Sequence, residues 1–233
     1  MSSVFKEQEL ASGYLTGAKG GTVGEDVTVR FKEASVEEGV LRRAFDVICA
    51  AAGLLFLSPL FCLIAIAIKL DDGGPVFYAQ ERVGKGFRRF RVYKFRSMVM
   101  GADRHGSLSA SGDSRLTRAG CRLRQYKLDE FPQLFNVLRG DMQLVGTRPE
   151  VERYVQMFRP QYAVILRNRP GITDPASLAF RHESQMFCPN RMEHQYLNEI
   201  LPAKLRLSMD YQKRRTFLSD VQVLLKTVFA LAK

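Results

Sequence analysis

The sequence predicts a mostly α-helical protein with a small β-hairpin and a membrane-embedded segment, and three observations support this fold class. An uncharged stretch of 22 residues, Val47–Ile68, is long enough to enter a bilayer. The stretch Arg82–Arg96 interleaves basic with aromatic residues, which suits a β-hairpin. Apolar residues at helical spacing mark Asn190–Tyr211 and Phe217–Lys233 as helices that pack on a compact domain.

These segments divide the chain of 233 residues into three parts. We expect residues 1–38 to form a polar tail, with at most a strand at Val27–Phe31. Residues 39–70 form the membrane segment, and residues 71–233 form a cytosolic domain. The tail lacks a charged region that leads into an apolar core, so we expect no signal peptide. A formal net charge of +11 favours an anionic partner such as nucleic acid, an acidic membrane surface or a phosphorylated substrate.

The uncharged stretch reaches roughly 33 Å as a helix, which is enough to cross a bilayer once. Ser58-Pro59 at its centre argues against a plain span, because proline removes a helical hydrogen bond. The Ser58 hydroxyl can bond back to the backbone and ease that break. Basic residues flank both ends, and positive flanks prefer the cytosol. We therefore favour a re-entrant helix-break-helix, with a single span and a buried core hairpin as the alternatives.

The stretch Arg82–Arg96 carries seven basic residues and no acidic one. It is a solvated hairpin edge, a platform for nucleic-acid bases, or a surface that meets anionic lipid headgroups and phosphates. The apolar segment just before it favours the third interpretation. The amphipathic stretch Phe217–Lys233 is either a core helix or an interfacial one.

Two adjacent carboxylates, Asp129 and Glu130, precede an apolar helical pattern. One interpretation is a helix cap, with Asp129 as the N-cap and Glu130 favoured by the helix dipole. The other is chemical: one carboxylate attacks a phosphoryl group to form an acyl-phosphate, while the other holds Mg²⁺. Arg148, on a proline-stiffened turn, suits bidentate phosphate binding. A glycosidase pair is disfavoured, because its carboxyls must flank a sugar from opposite sides.

Six motifs then occur in order: LRRAFDVICAAAGLLFLSPL, GGPVFYAQERVG, YKFRSM, DSRLTRAG, LRQYKLDEFPQLFNVLRGDMQLVGTRP and RPGIT. With them, the chain from about Arg42 to Thr227 resembles the bacterial sugar transferases, and in particular the small monotopic phosphoglycosyl transferases. The long central motif is highly specific, and the ordered set is more specific still.

The resemblance implies an enzyme that transfers a phosphosugar from a UDP-sugar to polyprenyl (undecaprenyl) phosphate. The products are a polyprenyl diphosphate sugar and UMP, in the first membrane step of bacterial surface glycan assembly. It implies that Asp129 is the nucleophile, which forms an aspartyl-phosphosugar, and that Glu130 is the second catalytic residue and helps hold Mg²⁺. We assign phosphate or substrate binding to five basic residues: Arg124, Arg148, Arg181, Lys94 and Arg96.

The resemblance also implies a re-entrant helix broken at Ser58 and Pro59 with both ends cytosolic, so the protein is monotopic on the cytoplasmic face of the inner membrane. We expect contacts with anionic lipid headgroups and none with nucleic acid. The oligomeric state stays open, a homodimer included. The alternative function is a membrane-anchored basic protein that binds nucleic acid or serves as a scaffold.

Two departures from the family pattern stand out. Thr147 replaces the first of two prolines that commonly surround the arginine. The stretch Asp174-Pro175-Ala176-Ser177-Leu178 replaces a glycine and a Gln-Val pair that often follow the Gly-Ile-Thr motif. The sequence therefore does not identify the sugar or the glycan pathway, and it leaves the position of Arg181 relative to the nucleotide open.

Overall fold

The computed structural model describes residues 39–102, 108–110, 112–188 and 191–231, and this part of the chain is mostly helical with short strands. The polar tail, including the strand expected at Val27–Phe31, lies outside the described residues. The helices are α1 (Val40–Asp72), α2 (Arg118–Gln125), α3 (Gln133–Arg139), α4 (Glu152–Met157), α5 (Arg159–Ile165), α6 (Pro175–Ala179), α7 (Glu183–Met186), α8 (Met192–Gln195), α9 (Leu201–Arg214) and α10 (Phe217–Leu231). The strands are β1 (Phe77–Val83), β2 (Arg89–Phe95), β3 (Gln143–Val145) and β4 (Gly171–Thr173).

Helix α1 continues through Pro59 without ending there. Proline has no backbone N–H, so the carbonyl of Leu55, four residues earlier, loses its helical donor. The Ser58 hydroxyl donates to that carbonyl oxygen at 2.8 Å. This side-chain hydrogen bond compensates for the missing backbone hydrogen bond. The helix can therefore continue where the sequence predicted a break.

One stripe of α1 packs along the rest of the protein over most of its length, while the opposite face is exposed and apolar. Among the described residues, α1 is the one helix long and apolar enough to cross a membrane by length and composition. Phe56 on its outer face is 84% exposed, against 0% for Ala50 on the packed stripe. The less exposed positions recur every three or four residues: Arg43, Asp46, Ala50, Gly53, Leu57, Leu60, Ile64 and Ile68.

Polar contacts fix both ends of α1 to the same domain. Near its N-terminus, Arg43 donates to the carbonyls of Val137 and Leu138, at 2.8 and 3.1 Å, and so satisfies the C-terminal end of α3. At its C-terminus, Asp72 forms a bidentate ion pair with Arg96, which follows β2. Gly73 then ends the helix in the left-handed conformation.

Strands β1 and β2 form the predicted hairpin, with Phe77 opposite Phe95 and Val83 opposite Arg89. The buried side chain of Asn136 on α3 binds the outer edge of β2. Its Oδ1 accepts from the backbone N–H of Tyr93 at 3.0 Å, and its Nδ2 donates to the carbonyl of Arg91 at 2.7 Å. The hairpin and α3 are therefore held in a fixed relation.

Four of the seven basic residues in Arg82–Arg96 pair with carboxylates. The net positive charge of the hairpin region is therefore lower than this stretch alone suggested. The pairs are Arg82 with Glu150, Arg89 with Glu81 and Glu152, Lys94 with Glu130, and Arg96 with Asp72.

Strands β3 and β4 pair in parallel and bring two distant motifs together. The backbone N–H of Gly171 donates to the carbonyl of Thr147 at 3.0 Å, and that of Gly146 donates to Thr173 at 2.9 Å. A Cβ on Gly171 would lie 2.1 Å from the backbone nitrogen of Gly146. Glycine is therefore required where the turn that carries Arg148 meets β4.

Helix α10 has both a packed face and an exposed apolar face. Asp220 and Val223 are buried, and Val223 belongs to a core cluster with Ala50 of α1. The helix leaves five large apolar side chains exposed: Phe217, Leu218, Leu225, Val228 and Phe229. The packed face of α10 fits the interpretation as a core helix. Its exposed apolar face is the feature that an interfacial helix needs.

Candidate active site

The two adjacent carboxylates lie in a 3₁₀ turn, Leu128–Glu130, that connects α2 to α3. Lys127 precedes the turn in the left-handed conformation, with φ 56° and ψ 20°. The caps of the turn and of α3 are Lys127 and Pro132, and neither uses a side-chain hydrogen bond. The interpretation of Asp129 as a helix cap is therefore wrong, because its side chain does not serve either helical element.

The carboxylate of Asp129 is buried and incompletely satisfied. The residue is 5% exposed, and its Oδ1 has no hydrogen-bond partner among the residues that the structure describes. Burial raises the pKa of Asp129, and the neighbouring charge of Glu130 raises it further, against the opposing effect of Lys94 and Arg124. An unpartnered carboxylate oxygen in a cleft can act as a nucleophile or as a ligand.

Glu130 differs from Asp129 because both of its oxygens are bound. Arg148 donates to Oε2 at 2.7 Å and also to Oε1, in a bidentate pair, and Lys94 donates to Oε1 at 3.2 Å. Burial would raise the pKa of Glu130, but Arg148 and Lys94 outweigh it and hold that pKa well below its usual range. The pair therefore separates into a partnered anion and an unpartnered one.

Arg124 and Arg181 also line the cleft that holds the carboxylates. The Arg124 guanidinium donates to two serine hydroxyls, Ser97 at 2.9 Å and Ser109 at 2.8 Å, and is thereby oriented without being neutralised. Its helix can approach the end of β2 because Gly120 has no side chain. A Cβ there would lie 1.9 Å from the Ser97 carbonyl oxygen.

Arg96 is not brought to the cleft, unlike the other four basic residues assigned from the sequence. Its guanidinium donates to Asp72, to the Pro75 carbonyl at 2.7 Å and to the Met98 carbonyl at 3.2 Å. Lys94 and Arg96 would share one face of a continuous strand, but β2 ends at Phe95. The geometry therefore gives Arg96 a structural role at the end of α1.

The cleft has a volume of about 500 Å³ and two chemically different walls. The charged wall carries Asp129, Glu130 and seven cations: Arg82, Lys94, Arg124, Lys127, Arg148, Arg181 and Lys204. The apolar wall includes side chains of α1, α3 and α10, namely Leu57, Leu134, Leu224, Val228 and Leu231. A ligand with both an anionic group and an apolar chain matches this lining.

Sequence reasoning did not find a second polar network in the cleft. Glu150 pairs with Arg82 and accepts from the Tyr196 hydroxyl at 2.5 Å, and Lys204 pairs with Glu183 at 2.7 Å. Glu150 follows the Arg-Pro motif directly, and this position was the available signal. The partners lie far away in sequence, so no local pattern marks them.

The two departures from the family pattern have structural roles beside the cleft. The buried Thr147 hydroxyl accepts from Gln212 Nε2 at 3.3 Å. Asp174 caps α6 by accepting from the Ser177 N–H at 2.7 Å, and it also accepts from the Ser208 hydroxyl at 2.6 Å. The variant stretch thus builds the short helix that leads to Arg181, which lines the cleft.

Comparisons with known proteins relate this chain to a family of transferases. A family model described as "Bacterial sugar transferase" matches residues 37–233. The chain is 37% identical over 194 residues to a UDP-N-acetylgalactosamine-undecaprenyl-phosphate N-acetylgalactosaminephosphotransferase of Aeromonas hydrophila, covering 81% of this chain and 43% of the relative. It is 35% identical over 192 residues to a UDP-glucose:undecaprenyl-phosphate glucose-1-phosphate transferase of Caulobacter vibrioides, covering 80% of this chain and 68% of that protein.

A further relative is the exopolysaccharide production protein ExoY of Rhizobium meliloti. It is 36% identical over 161 residues, which cover 62% of this chain and 71% of the relative. The match to the family model includes both walls of the cleft and all of the motifs identified in the sequence. The chain belongs to the bacterial sugar transferase family.

Proposed function

We propose that this protein transfers a sugar phosphate from a UDP-sugar to undecaprenyl phosphate, which yields undecaprenyl diphosphate sugar and UMP. The observation that carries the proposal is the buried Asp129 carboxylate, whose Oδ1 lacks a partner in a cleft lined by cations. Two relatives that cover most of this chain are named for such a transfer. The relative named for exopolysaccharide production supports a place in surface glycan assembly.

In the first step, Asp129 Oδ1 attacks the phosphorus that carries the sugar. The bond from that phosphorus to the bridging oxygen breaks, and UMP leaves with the oxygen and its electron pair. In the second step, a phosphate oxygen of the acceptor attacks the same phosphorus, and the bond to Asp129 breaks. Neither step requires a proton transfer, so the reaction needs an ionised carboxylate and positive charge around it.

The cleft supplies that positive charge in two ways. Glu130 holds Arg148 and Lys94 beside Asp129, so their donors are positioned before substrate arrives. Arg124, oriented by its two serine partners, faces the same cleft without a carboxylate partner among the described residues. These groups bind diphosphate oxygens and stabilise the charge that moves to the leaving UMP.

Mg²⁺ is part of the proposal. Carboxylate oxygens together with substrate phosphates are the ligands that Mg²⁺ prefers. The Oε2 atom of Glu130 accepts from Arg148 alone, and its second lone pair supports a place for the ion at Glu130. The described residues contain no cluster of three or more His, Cys, Asp or Glu side chains that would hold a metal without substrate. Glu130 and the diphosphate would hold the ion, which would neutralise charge on the phosphate oxygens.

The apolar surfaces support attachment to the cytoplasmic face of the inner membrane. The exposed faces of α1 and α10 lie on helices that also supply the apolar wall, through Leu57 and Val228. An undecaprenyl chain can therefore pass from lipid along this wall to bring its phosphate to Asp129. Because both ends of α1 contact the same domain, we propose that the helix enters the membrane from one side only, in contact with anionic headgroups.

Covalent labelling tests the reaction. Purified full-length protein is given Mg²⁺ and radiolabelled UDP-glucose or UDP-N-acetylgalactosamine without acceptor, and mass spectrometry locates the label. We expect label on Asp129 and one UMP released per labelled enzyme. Asp129→Asn should abolish both, whereas Asp210→Asn, at an exposed pair with Lys213, should change neither. Transfer at the wild-type rate by Asp129→Asn would falsify the mechanism.

Topology is tested separately by labelling cysteines in N-terminal and C-terminal tags in intact cells. A membrane-impermeant thiol reagent should reach neither tag until the inner membrane is permeabilised. Labelling of the N-terminal tag from the periplasmic side would show that α1 spans the membrane and would overturn the one-sided arrangement.

A further inference from the structure

The cations that line the cleft fall into two groups. Each cation of the first group pairs with a carboxylate. Arg82 pairs with Glu150, and Lys204 pairs with Glu183. Lys94 and Arg148 both pair with Glu130. Their charge is largely balanced before any substrate arrives. A dianionic substrate gains less from such a cation than from one that has no anion beside it.

The second group consists of Arg124, Lys127 and Arg181, which have no carboxylate partner within the part of the chain that the structure describes. All are half-buried and face the cleft. They supply the unbalanced positive charge that an incoming phosphate meets. Lys127 is the member that neither the composition nor the resemblance identified.

The backbone of Lys127 makes its identity unexpected. A φ of 56° is a left-handed conformation that glycine adopts easily and that a side chain makes unfavourable. The turn depends on this conformation, because the Lys127 N–H donates to the Arg124 carbonyl at 3.2 Å and Glu130 N–H donates to the Lys127 carbonyl at 3.4 Å. A lysine here suggests that its amine contributes something that glycine could not.

The Lys127 amine, on the cleft lining, acts electrostatically on Asp129 and on His182. Burial is the largest cause that raises the pKa of Asp129, and Lys127 is among the charges that oppose it. Burial and Arg181 lower the pKa of His182, and Lys127 contributes in the same direction. The same ammonium group therefore acts on the nucleophile and on the residue next to Arg181.

We infer that Lys127 binds a phosphate oxygen of the substrate beside Asp129, with a left-handed backbone that aims its amine into the cleft. The ligand chemistry is a phosphate ester, either the diphosphate of the UDP-sugar or the terminal phosphate of the polyprenyl acceptor. This inference rests on the proposed function, because it names a further residue of the same site.

Three substitutions separate the amine from the backbone. Lys127→Gly removes the amine and relieves the strained conformation, Lys127→Ala removes the amine and keeps the strain, and Lys127→Arg keeps a cation. We expect Lys127→Gly and Lys127→Ala to slow the affected step by about 10- to 100-fold, as the loss of a charge-assisted hydrogen bond does. Lys127→Arg should retain most of the rate.

Single-turnover measurements on the full chain identify the phosphate. The first arm follows labelling of the enzyme by UDP-glucose or UDP-N-acetylgalactosamine, and the second follows loss of that label on addition of undecaprenyl phosphate. If Lys127→Gly slows labelling of the enzyme, Lys127 binds the diphosphate of the UDP-sugar. If Lys127→Gly slows only the loss of label, Lys127 binds the phosphate of the acceptor. Lys213→Ala, which removes one exposed positive charge, should change neither arm.

The inference is overturned if Lys127→Gly reacts at the wild-type rate in both arms, whatever Lys127→Ala does. That result would show that neither step needs the amine. Thermal unfolding should show Lys127→Gly at least as stable as Lys127→Ala, so a slow glycine variant cannot be attributed to strain. Failure of the proposed function is distinguishable, because it would appear as undiminished transfer by Asp129→Asn.

Discussion

Charged residues at the two ends of α1 and charged residues in the cleft behave differently. At the ends of α1, Arg43 binds two carbonyls of α3, and Arg96 binds Asp72 together with two further carbonyls. In the cleft, Asp129 keeps an unpartnered oxygen and Arg124 has hydroxyl partners only. A fully satisfied charge fixes structure, whereas a buried and incompletely satisfied charge is retained at a cost in stability and indicates function.

Glu130 shares features with both sets of charges. It is fully partnered, like the charges at the ends of α1, yet it lies next to Asp129, the nucleophile that we propose. Glu130→Gln removes the charge that holds Arg148 and Lys94, and we expect the transfer rate to fall by about 10²- to 10³-fold, as for loss of one preorganised electrostatic group. The rate is measured as UMP release at saturating UDP-sugar. Glu81→Gln, in an exposed pair with Arg89, is the matched control and should stay near the wild-type rate. A rate for Glu130→Gln within threefold of wild type would show that its ion pairs are only structural.

Arg96 tests the role of the fully partnered charges at the ends of α1. Arg96→Met removes the guanidinium donors from two carbonyls and from the Asp72 carboxylate, which keeps the Gly74 N–H. We expect the free energy of unfolding to fall by about 2 kcal/mol. The partial exposure of Asp72 keeps this below the cost of breaking a fully buried pair. Thermal unfolding in detergent measures the loss, and activity per folded molecule should not change.

The contrary outcome is specific. If Arg96→Met unfolds at the wild-type temperature and transfers slowly, Arg96 binds substrate as the sequence first suggested. Arg89→Met, at an exposed ion pair, should affect neither property.

The raised pKa of Asp129 predicts a pH dependence of the first step. Attack requires the ionised carboxylate, so the rate of covalent labelling should rise with pH, by about tenfold per unit below a midpoint that lies above the ordinary aspartate value of about 3.9. The sign for stability is opposite: deprotonation of this buried group disfavours the folded state as pH rises through that midpoint. Removal of a neighbouring cation by Arg124→Gln should move the midpoint upward. A flat profile down to pH 4 would contradict the assignment of Asp129 as the group that titrates.

The smallest effect is expected at Ser58. Ser58→Ala removes the hydroxyl that satisfies the Leu55 carbonyl, and we expect a loss of about 0.5–1 kcal/mol in the free energy of unfolding. Cys62→Ala, on an exposed position of the same helix, should have no comparable effect. The comparison is made by thermal unfolding in matched lipid nanodiscs. Equal unfolding temperatures for the two variants would show that lipid or water replaces the hydroxyl.

Local signals predicted much of the site. The dyad ahead of an apolar helical pattern and the hairpin both depend on residues close in sequence. Lys94, Arg124 and Arg148 lie in the motifs, and all three line the cleft together with Arg181.

Contacts between distant segments could not be predicted in this way. Glu150 reaches Arg82 across 68 positions, and that pairing follows from a bridge between Val83 and Glu150. The sequence did not indicate that Arg96 lies outside the cleft, because its environment depends on where α1 ends relative to β2. The parallel pairing of β4 with β3 likewise joins segments that are distant in sequence.

The packed stripe along α1 constrains how this segment can evolve. The helix contacts one core cluster through Ala50 and another through Ile64. The residues between these two positions therefore act as a spacer that fixes both the distance and the rotation between the two contacts. Inserting one residue there would turn everything downstream by about 100° and shift it by about 1.5 Å. The Asp72 carboxylate would then face away from Arg96. The outward-facing apolar residues of the spacer can change in identity, whereas the number of residues in it cannot change.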